Sequence, residues 1–356
     1  MTRFWIGALA LLTLPFSGGE AQAPAPLYFP PATGAWQTVS PQSAGWDEAK
    51  LKAALEFAGR KNSTAVVILY GGKIMAEQYW SGWNGSTAQE VASVQKSFTS
   101  FLVGVARSEG KLNLDDPVSK YLGPRWSRCP STEGQITVRH LVTMTSGLGE
   151  RLECDAQPGA KWMYNTVAYY RVKDVLEKAT GQPISPYLQS KLAGPTGMSN
   201  TSWLLGSQVL PSSSALQSSA RDMARFGLLV QAKGKWGDQT LLGDQSYLNE
   251  ALSTSQNLNL SYGYLFWLNG KASYLLPGGQ GGGQGSLIPC GPNDLVAAMG
   301  KKDRKIYVVP SLNLVVVRHG LTADPVQERE SLTSFDNELW AKLMAASPLK
   351  QTCNAP

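Results

Sequence analysis

Apolar positions recur with two different periods along this chain. In residues 46–61, Leu51, Leu55 and Ala58 fall on one helical face, which predicts an amphipathic helix. Residues 64–70 are a β-branched run, Gly71-Gly72 turns the chain, and residues 73–80 return; that pattern predicts a hairpin. Helical spacing resumes with Phe98, Phe101, Leu102 and Val105 and stops at Gly110. From there to about residue 215 the pattern is of helices and loops, with short helices over 137–144 and 167–180, the latter ended by Gly181. Ser219 with Asp222 reads as a capping box opening a helix through Phe226 to Val230. The last third returns to β, with strands over 262–269, 295–300, 305–309 and 314–319 and a closing helix over 328–344 that carries Leu332, Phe335, Leu339 and Leu343 on one side. The Gly-rich stretch 278–285 lacks the strand-to-helix setting of a phosphate loop and reads as a flexible surface loop. β segments from both ends flank a helical middle. The fold class this predicts is α/β (α+β): one mainly antiparallel sheet flanked by helices, with an inserted all-helical region.

The candidate chemistry lies at the start of the Phe98 helix. Ser-x-x-Lys occurs three times, at Ser93–Lys96, Ser108–Lys111 and Ser347–Lys350. Ser108 precedes the helix-ending Glu109-Gly110, and Ser347 precedes Pro348 near the C-terminus. Only Ser93 sits at the start of a long apolar-periodic helix, where the dipole disfavours an ammonium and favours an oxyanion. A neutral lysine three residues on shares the serine's helical face and can take its proton. The chain has only two histidines, His140 and His319, so a Ser-Lys pair is the economical route to a serine nucleophile. His140 reads as a helix-packing residue, and His319 ends a core strand with no role assigned.

The ends and the composition set the surroundings of that chemistry. Arg3, an apolar run over residues 4–14 and Ala21-Gln22-Ala23 have the form of a secretory signal, residues 1–23, too short to span a bilayer comfortably. A Pro-rich tether, residues 24–31, within an extended N-terminal segment over 24–42, would follow it, leading into one folded domain over 43–350, with α/β parts at about 43–92 and 216–350 and a helical part at about 93–215. The expected location is periplasmic or secreted, without stable membrane insertion after cleavage. A hydrophobic content of 43% supports a packed globule, and the net charge of +6 is dispersed rather than gathered into a nucleic-acid-binding surface. Cys129, Cys154, Cys290 and Cys353 have no zinc spacing; in an exported chain they allow three disulfide pairings. Joining Cys129 to Cys154 would contribute about 3 kcal/mol in the chain-entropy model, and Cys290 with Cys353 would then tie down the tail.

Taken together, the motifs resemble the serine β-lactamase and penicillin-binding-protein superfamily, in particular its class C-like esterase and amidase branch, which includes 6-aminohexanoate-dimer hydrolases. Besides Ser93-Val-Gln-Lys96, the resemblance rests on Lys111-Leu-Asn-Leu-Asp-Asp-Pro117, on Ile136-Thr-Val-Arg-His-Leu-Val-Thr-Met-Thr-Ser-Gly147, on Tyr164-Asn-Thr166, on Ser219-Ala-Arg-Asp-Met-Ala-Arg-Phe-Gly227 and on Ile306-Tyr-Val-Val-Pro-Ser311. It implies a β-lactamase-like fold with Ser93 as nucleophile, Lys96 as base and Tyr164 as proton relay, Tyr169 and Tyr170 being the alternatives to Tyr164. It also implies an oxyanion site made by the backbone N–H groups of Ser93 and of Lys301, just after Gly300. Thr166 stands where β-lactamases carry Asn, and Ala298 where they carry Lys, which argues against an efficient β-lactamase. Trp267 would either line the acyl pocket or pack in the core. The implied partner is a small-molecule ester or amide, with no metal, cofactor or nucleic acid. A β-lactam- or D-amino-acid-directed hydrolase and a non-catalytic binder of envelope ligands are the alternatives.

Overall fold

The computed structural model describes residues 26–204, 213–279, 281–325, 332–350 and 353. The expected secretory signal lies outside them. Six strands form the central sheet in the order Lys73–Tyr79, Ser63–Tyr70, Leu314–Gly320, Arg304–Val309, Val296–Gly300, Trp267–Leu268, each antiparallel to its neighbours. The register puts Val67, Val317 and Ile306 in one row across the three middle strands. Successive side chains of a strand point to opposite faces, and the contacts show both faces covered. Val315, Ile306 and Val308 meet the helix Ala220–Gln231; a Cβ on its Gly227 would lie 2.5 Å from Val315 Cγ1, so glycine is what lets the helix press onto the sheet. On the other face Arg318 lies over Phe335 and Lys305 and Tyr307 reach Asp336, all from the helix Ser334–Ala346, which packs beside Glu48–Arg60. A sheet covered on both faces explains the uninterrupted Leu314-Val-Val-Val317 run.

This is the expected α/β (α+β) class: an antiparallel sheet flanked by helices with a helical region inserted. Both disulfides of the expected pairing are present, Cys129–Cys154 and Cys290–Cys353.

Several details differ from the sequence reading. Residues 262–269 contribute only the two-residue strand Trp267–Leu268. Leu265 has φ of 61°, and its N–H and C=O bond to Val142 and to the Ser97 hydroxyl, so this backbone serves two helices instead of the sheet. The closing helix begins at Ser334, where a Thr333–Asp336 capping box sets its start; Leu332 precedes it, and residues 328–331 lie outside the described residues. Only half of the Ser219–Asp222 box forms: Ser219 accepts from Asp222 N, while the Asp222 carboxylate goes to Asn200 N and Thr201 Oγ1. The Pro-rich segment is not a free tether. Arg225 donates to the Pro30 and Pro31 carbonyls, Tyr28 N bonds Gly71 O, and the Trp36 indole bonds Gly72 O, strapping it to the sheet and its covering helix. Within the Gly-rich stretch, Gly282–Gln284 pairs with Ser273–Leu275 as a small hairpin.

Candidate active site

Ser93 lies in a single 3-10 turn, Ala92–Val94, that runs into the helix Gln95–Ser108. Ala92 before it has φ of 50°, a left-handed conformation that is costly for a residue with a Cβ. The turn is held by Val91 N bonding Leu216 O and Val94 N bonding Val91 O. The helix is not the one-sided stripe that Phe98 and Phe101 suggest, because every residue from Gln95 to Ala106 is buried. Its serine and threonine positions are matched internally: Ser97 donates to Leu265 O, Thr99 is hydrogen-bonded to the Tyr169 hydroxyl at 2.7 Å, and Ser100 to the Tyr247 hydroxyl at 3.0 Å.

Lys96 is 2% exposed, with Nζ 3.0 Å from Ser93 Oγ and 3.3 Å from Thr166 Oγ1, to which it donates. The rings of Tyr164 and Tyr169 lie 4.8 and 4.7 Å from this nitrogen, and among the described residues it forms no ion pair. Burial without a carboxylate lowers its pKa to about 7, with a smaller push from the Lys173 charge. At its ordinary value roughly one lysine in three thousand is neutral at pH 7; at about 7, roughly half are.

The Tyr164 hydroxyl shares a hydrogen bond with Ser93, and burial holds its pKa far above the ordinary phenol value. It is therefore a neutral phenol at pH 7, able to pass a proton but unsuited to start as a phenolate base. Tyr169 has its hydroxyl committed to Thr99, while Tyr170 lines the cleft. Behind Tyr164 stand Trp267, stacked at 5.9 Å and 22°, and Trp162 and Tyr262. Trp267 is buried in this aromatic buttress and is not among the residues lining the cleft, so it packs in the core.

Asn165 fixes Tyr164 and Thr166 from between. Its Oδ1 caps the helix Thr166–Thr180 by accepting from Val167 N and Ala168 N, and its amide donates to Leu148 O and Gly149 O, both at 2.8 Å. The sequence reading missed this residue, although an Asn immediately before a helical period is an N-cap signal. It likewise missed Lys173 and Glu90.

At the far wall, the strand Val296–Gly300 pairs with Trp267–Leu268 only through Val296 and Ala297, so its outer edge is unpaired from Ala298 onward. A Cβ on Gly300 would lie 2.7 Å from Val91 O and 3.0 Å from Ser93 N. Glycine is thus required for the strand end to reach the nucleophile turn and bring Lys301 beside it. Ser93, Lys96, Tyr164, Thr166 and Lys301 line one cavity of about 510 Å³, with Glu90, Glu150 and Gly278 at its margin. A second cavity of about 410 Å³ adjoins it through Glu150, Tyr164 and Gly278. His140 and His319 stand apart from this chemistry. His140 Nδ1 accepts from Thr137 N in the cap of the helix Val138–Val142. His319, held neutral by burial to a pKa of about 3, donates from Nε2 to Ser218 O and accepts at Nδ1 from Gln89.

The beta-lactamase family model matches residues 48–309 of this chain, which includes every residue of the cleft. The chain belongs to the beta-lactamase family. Similar folds include a Bacillus anthracis structure described as a candidate 6-aminohexanoate-dimer hydrolase, with TM-score 0.68 and 17% identity, covering 89% of each chain. They also include an octameric penicillin-binding protein homologue from Pyrococcus abyssi, with TM-score 0.62 and 16% identity over 85% of this chain and 78% of that one. A D-alanyl-D-alanine-carboxypeptidase/endopeptidase of Escherichia coli is 24% identical over 172 residues, 39% of this chain and 44% of the relative. An uncharacterized protein of Alkalihalophilus pseudofirmus is 29% identical over 136 residues, 35% of this chain and 39% of the relative. The chain thus spans less than half the length of these curated relatives. Its beta-lactamase fold is that of serine hydrolases working through an acyl-enzyme. Among the described residues no helix is long and apolar enough to cross a membrane.

Proposed function

We propose that this protein is an exported serine hydrolase that forms an acyl-enzyme on Ser93 and hydrolyses a small ester or amide. The observation that carries the reading is a buried lysine amine with no acid partner, 3.0 Å from a serine hydroxyl. Neutral Lys96 takes the Ser93 proton as Oγ attacks the acyl carbon. The carbonyl electrons move to its oxygen, which the N–H groups of Ser93 and Lys301 receive; loss of one such donor typically costs about 3 kcal/mol of transition-state stabilisation. Collapse of the intermediate expels the alkoxide or amine, protonated through the Lys96–Tyr164 hydroxyl network. Water then attacks the acyl-enzyme and gives a proton to Lys96; collapse of the second intermediate breaks the Ser93 Oγ–acyl bond, releases the acid and returns that proton to Ser93 Oγ, leaving Lys96 neutral.

Thr166 in place of an amide side chain and the apolar Ala298 on the free strand edge favour esters or simple amides over β-lactams. Fluorophosphonate labelling tests the chemistry: the wild type is expected to gain one adduct at Ser93, and Ser93→Ala none. An unlabelled wild type refutes the proposal. Hydrolysis of p-nitrophenyl esters with little turnover of nitrocefin is the expected substrate pattern.

A further inference from the structure

A cavity of about 590 Å³ lies apart from the one that holds Ser93. Its walls carry four arginines, Arg125, Arg128, Arg151 and Arg171, with Trp126 and Leu152 between them, and no acidic residue lines it. Arg171 is bridged to Asp174 at 3.0 Å, but Arg125, Arg128 and Arg151 enter no ion pair among the described residues. The nearby acids are spent on the main chain. Glu133 accepts from Arg125 N at 2.6 Å and from Ser127 N at 2.8 Å, and Glu153 accepts from Arg151 N at 2.8 Å.

This wall is built rather than incidental. Arg125 sits at φ of 67°, held there by its bond to Glu133. Arg128 N bonds Leu152 O at 2.9 Å, and the Cys129–Cys154 disulfide closes the same two segments together. Trp126 is buried, and its indole N–H finds no protein acceptor. Arg125, Arg128 and Arg151 are exposed, so water screens their mutual repulsion, but together with Arg171 they set up a positive field over the cavity that favours an anion. A guanidinium presents a planar fork that matches two oxygens of one anion, and several forks around one space suit the three or four oxygens of a phosphate.

We propose that this cavity is a binding site for a phosphate group, borne by a soluble phosphate ester or by a lipid headgroup. The site stands independently of the Ser93 chemistry, although Arg151 follows Glu150 and Val167 follows Thr166, both of which line the cleft.

Titration calorimetry of the purified full chain with inorganic pyrophosphate at constant ionic strength tests the soluble source. Cosedimentation with phosphatidylglycerol against phosphatidylcholine vesicles tests the lipid source. Saturable binding in either arm, weakened at least tenfold in Arg128→Gln/Arg151→Gln and unchanged in Lys52→Gln, is the expected result. The single variants Arg128→Gln and Arg151→Gln, each with an intermediate loss, keep the test decisive if the double variant misfolds. Ser93→Ala is expected to bind like the wild type, which separates this site from the hydrolase reading. Absence of arginine-dependent binding in both arms overturns the proposal.

Discussion

Lys96 and Lys305 are both fully buried amines, yet their surroundings give them opposite parts. Lys305 sits in the central sheet with Nζ 2.9 Å from Asp336 Oδ2, and the rest of that carboxylate is matched by the Tyr307 hydroxyl at 2.6 Å and by Thr333 N at 2.9 Å. Asp303 lies 3.6 Å away, bonded in turn to the Thr333 hydroxyl and Ala323 N. Each oxygen of the two carboxylates has at least one donor, and the network ties the closing helix to the sheet. Lys96 has hydroxyls and aromatic faces around it and no carboxylate. A buried amine opposite an acid becomes half of an ion pair; without one it sheds its proton and becomes a base. Buried lysine therefore says little about function until the carboxylates around it are counted.

Substituting Lys96 sets the two cases furthest apart. Lys96→Met is expected to slow acylation of Ser93 by at least 10³-fold, the upper range for loss of a general base. The same change should raise stability. The folded pKa of about 7 lies below the unfolded value of about 10.5, so the unfolded chain binds more protons throughout that window. The wild type is therefore destabilised at pH 7, and that cost fades as pH rises toward 10.5. Removing the amine should stabilise the fold by on the order of 2–4 kcal/mol at pH 7, and by much less at pH 10. Denaturant melts at the two pH values, beside stopped-flow acylation, measure both effects. A Lys96→Met protein that is inactive and also less stable would place this lysine with Lys305, as structure.

The opposite pattern is expected of the sheet network. Asp336→Asn leaves buried Lys305 with only the more distant Asp303 carboxylate, 3.6 Å away, and loss of a buried ionic partner typically costs about 3–5 kcal/mol. Acylation of Ser93 measured well below the melting temperature should stay within about twofold of wild type, because the network lies on the sheet face away from Ala220–Gln231 and shares no residue with the cleft. A large loss of acylation in a folded Asp336→Asn protein would mean that the two regions are energetically coupled.

The two lysines were not equally legible. Ser93 and Lys96 are three residues apart, so one helical turn supplies their geometry and the motif can be read locally. The six-strand sheet was readable for the same reason: Leu314-Val-Val-Val317 and the Gly71-Gly72 hairpin carry their own signals. Lys305 and Asp336 are 31 residues apart, and no local period announces that a charged residue in a strand faces inward. Lys173 is a similar case, since its Nζ bonds Ser214 O at 2.6 Å across 41 residues. Residues 262–269 misled for a related reason: their apolar pattern suits a strand, but their backbone groups were claimed by Ser97 and Val142, far away in sequence.

Lys173 gives the finest test of the comparison. It lacks a directly bonded acid, as Lys96 does, and burial lowers its pKa to about 7, with Asp174 and Glu177 pulling the other way. The Tyr169 ring lies between the two amines, 4.7 Å from Lys96 Nζ and 5.7 Å from Lys173 Nζ. If Lys96 is the base, kcat/KM should fall about tenfold per pH unit below pH 7, as the amine takes up its proton. When Lys173 is charged, it disfavours a second charge on Lys96. Lys173→Met removes that push, so the pKa of Lys96 should rise and the acid limb should move to higher pH by a fraction of a unit. At pH 6 the expected loss in kcat/KM is no more than about threefold, and at pH 9, where both amines are neutral, the variant should match the wild type. An equal loss at both pH values would mean that Lys173 supports the site by packing rather than by charge.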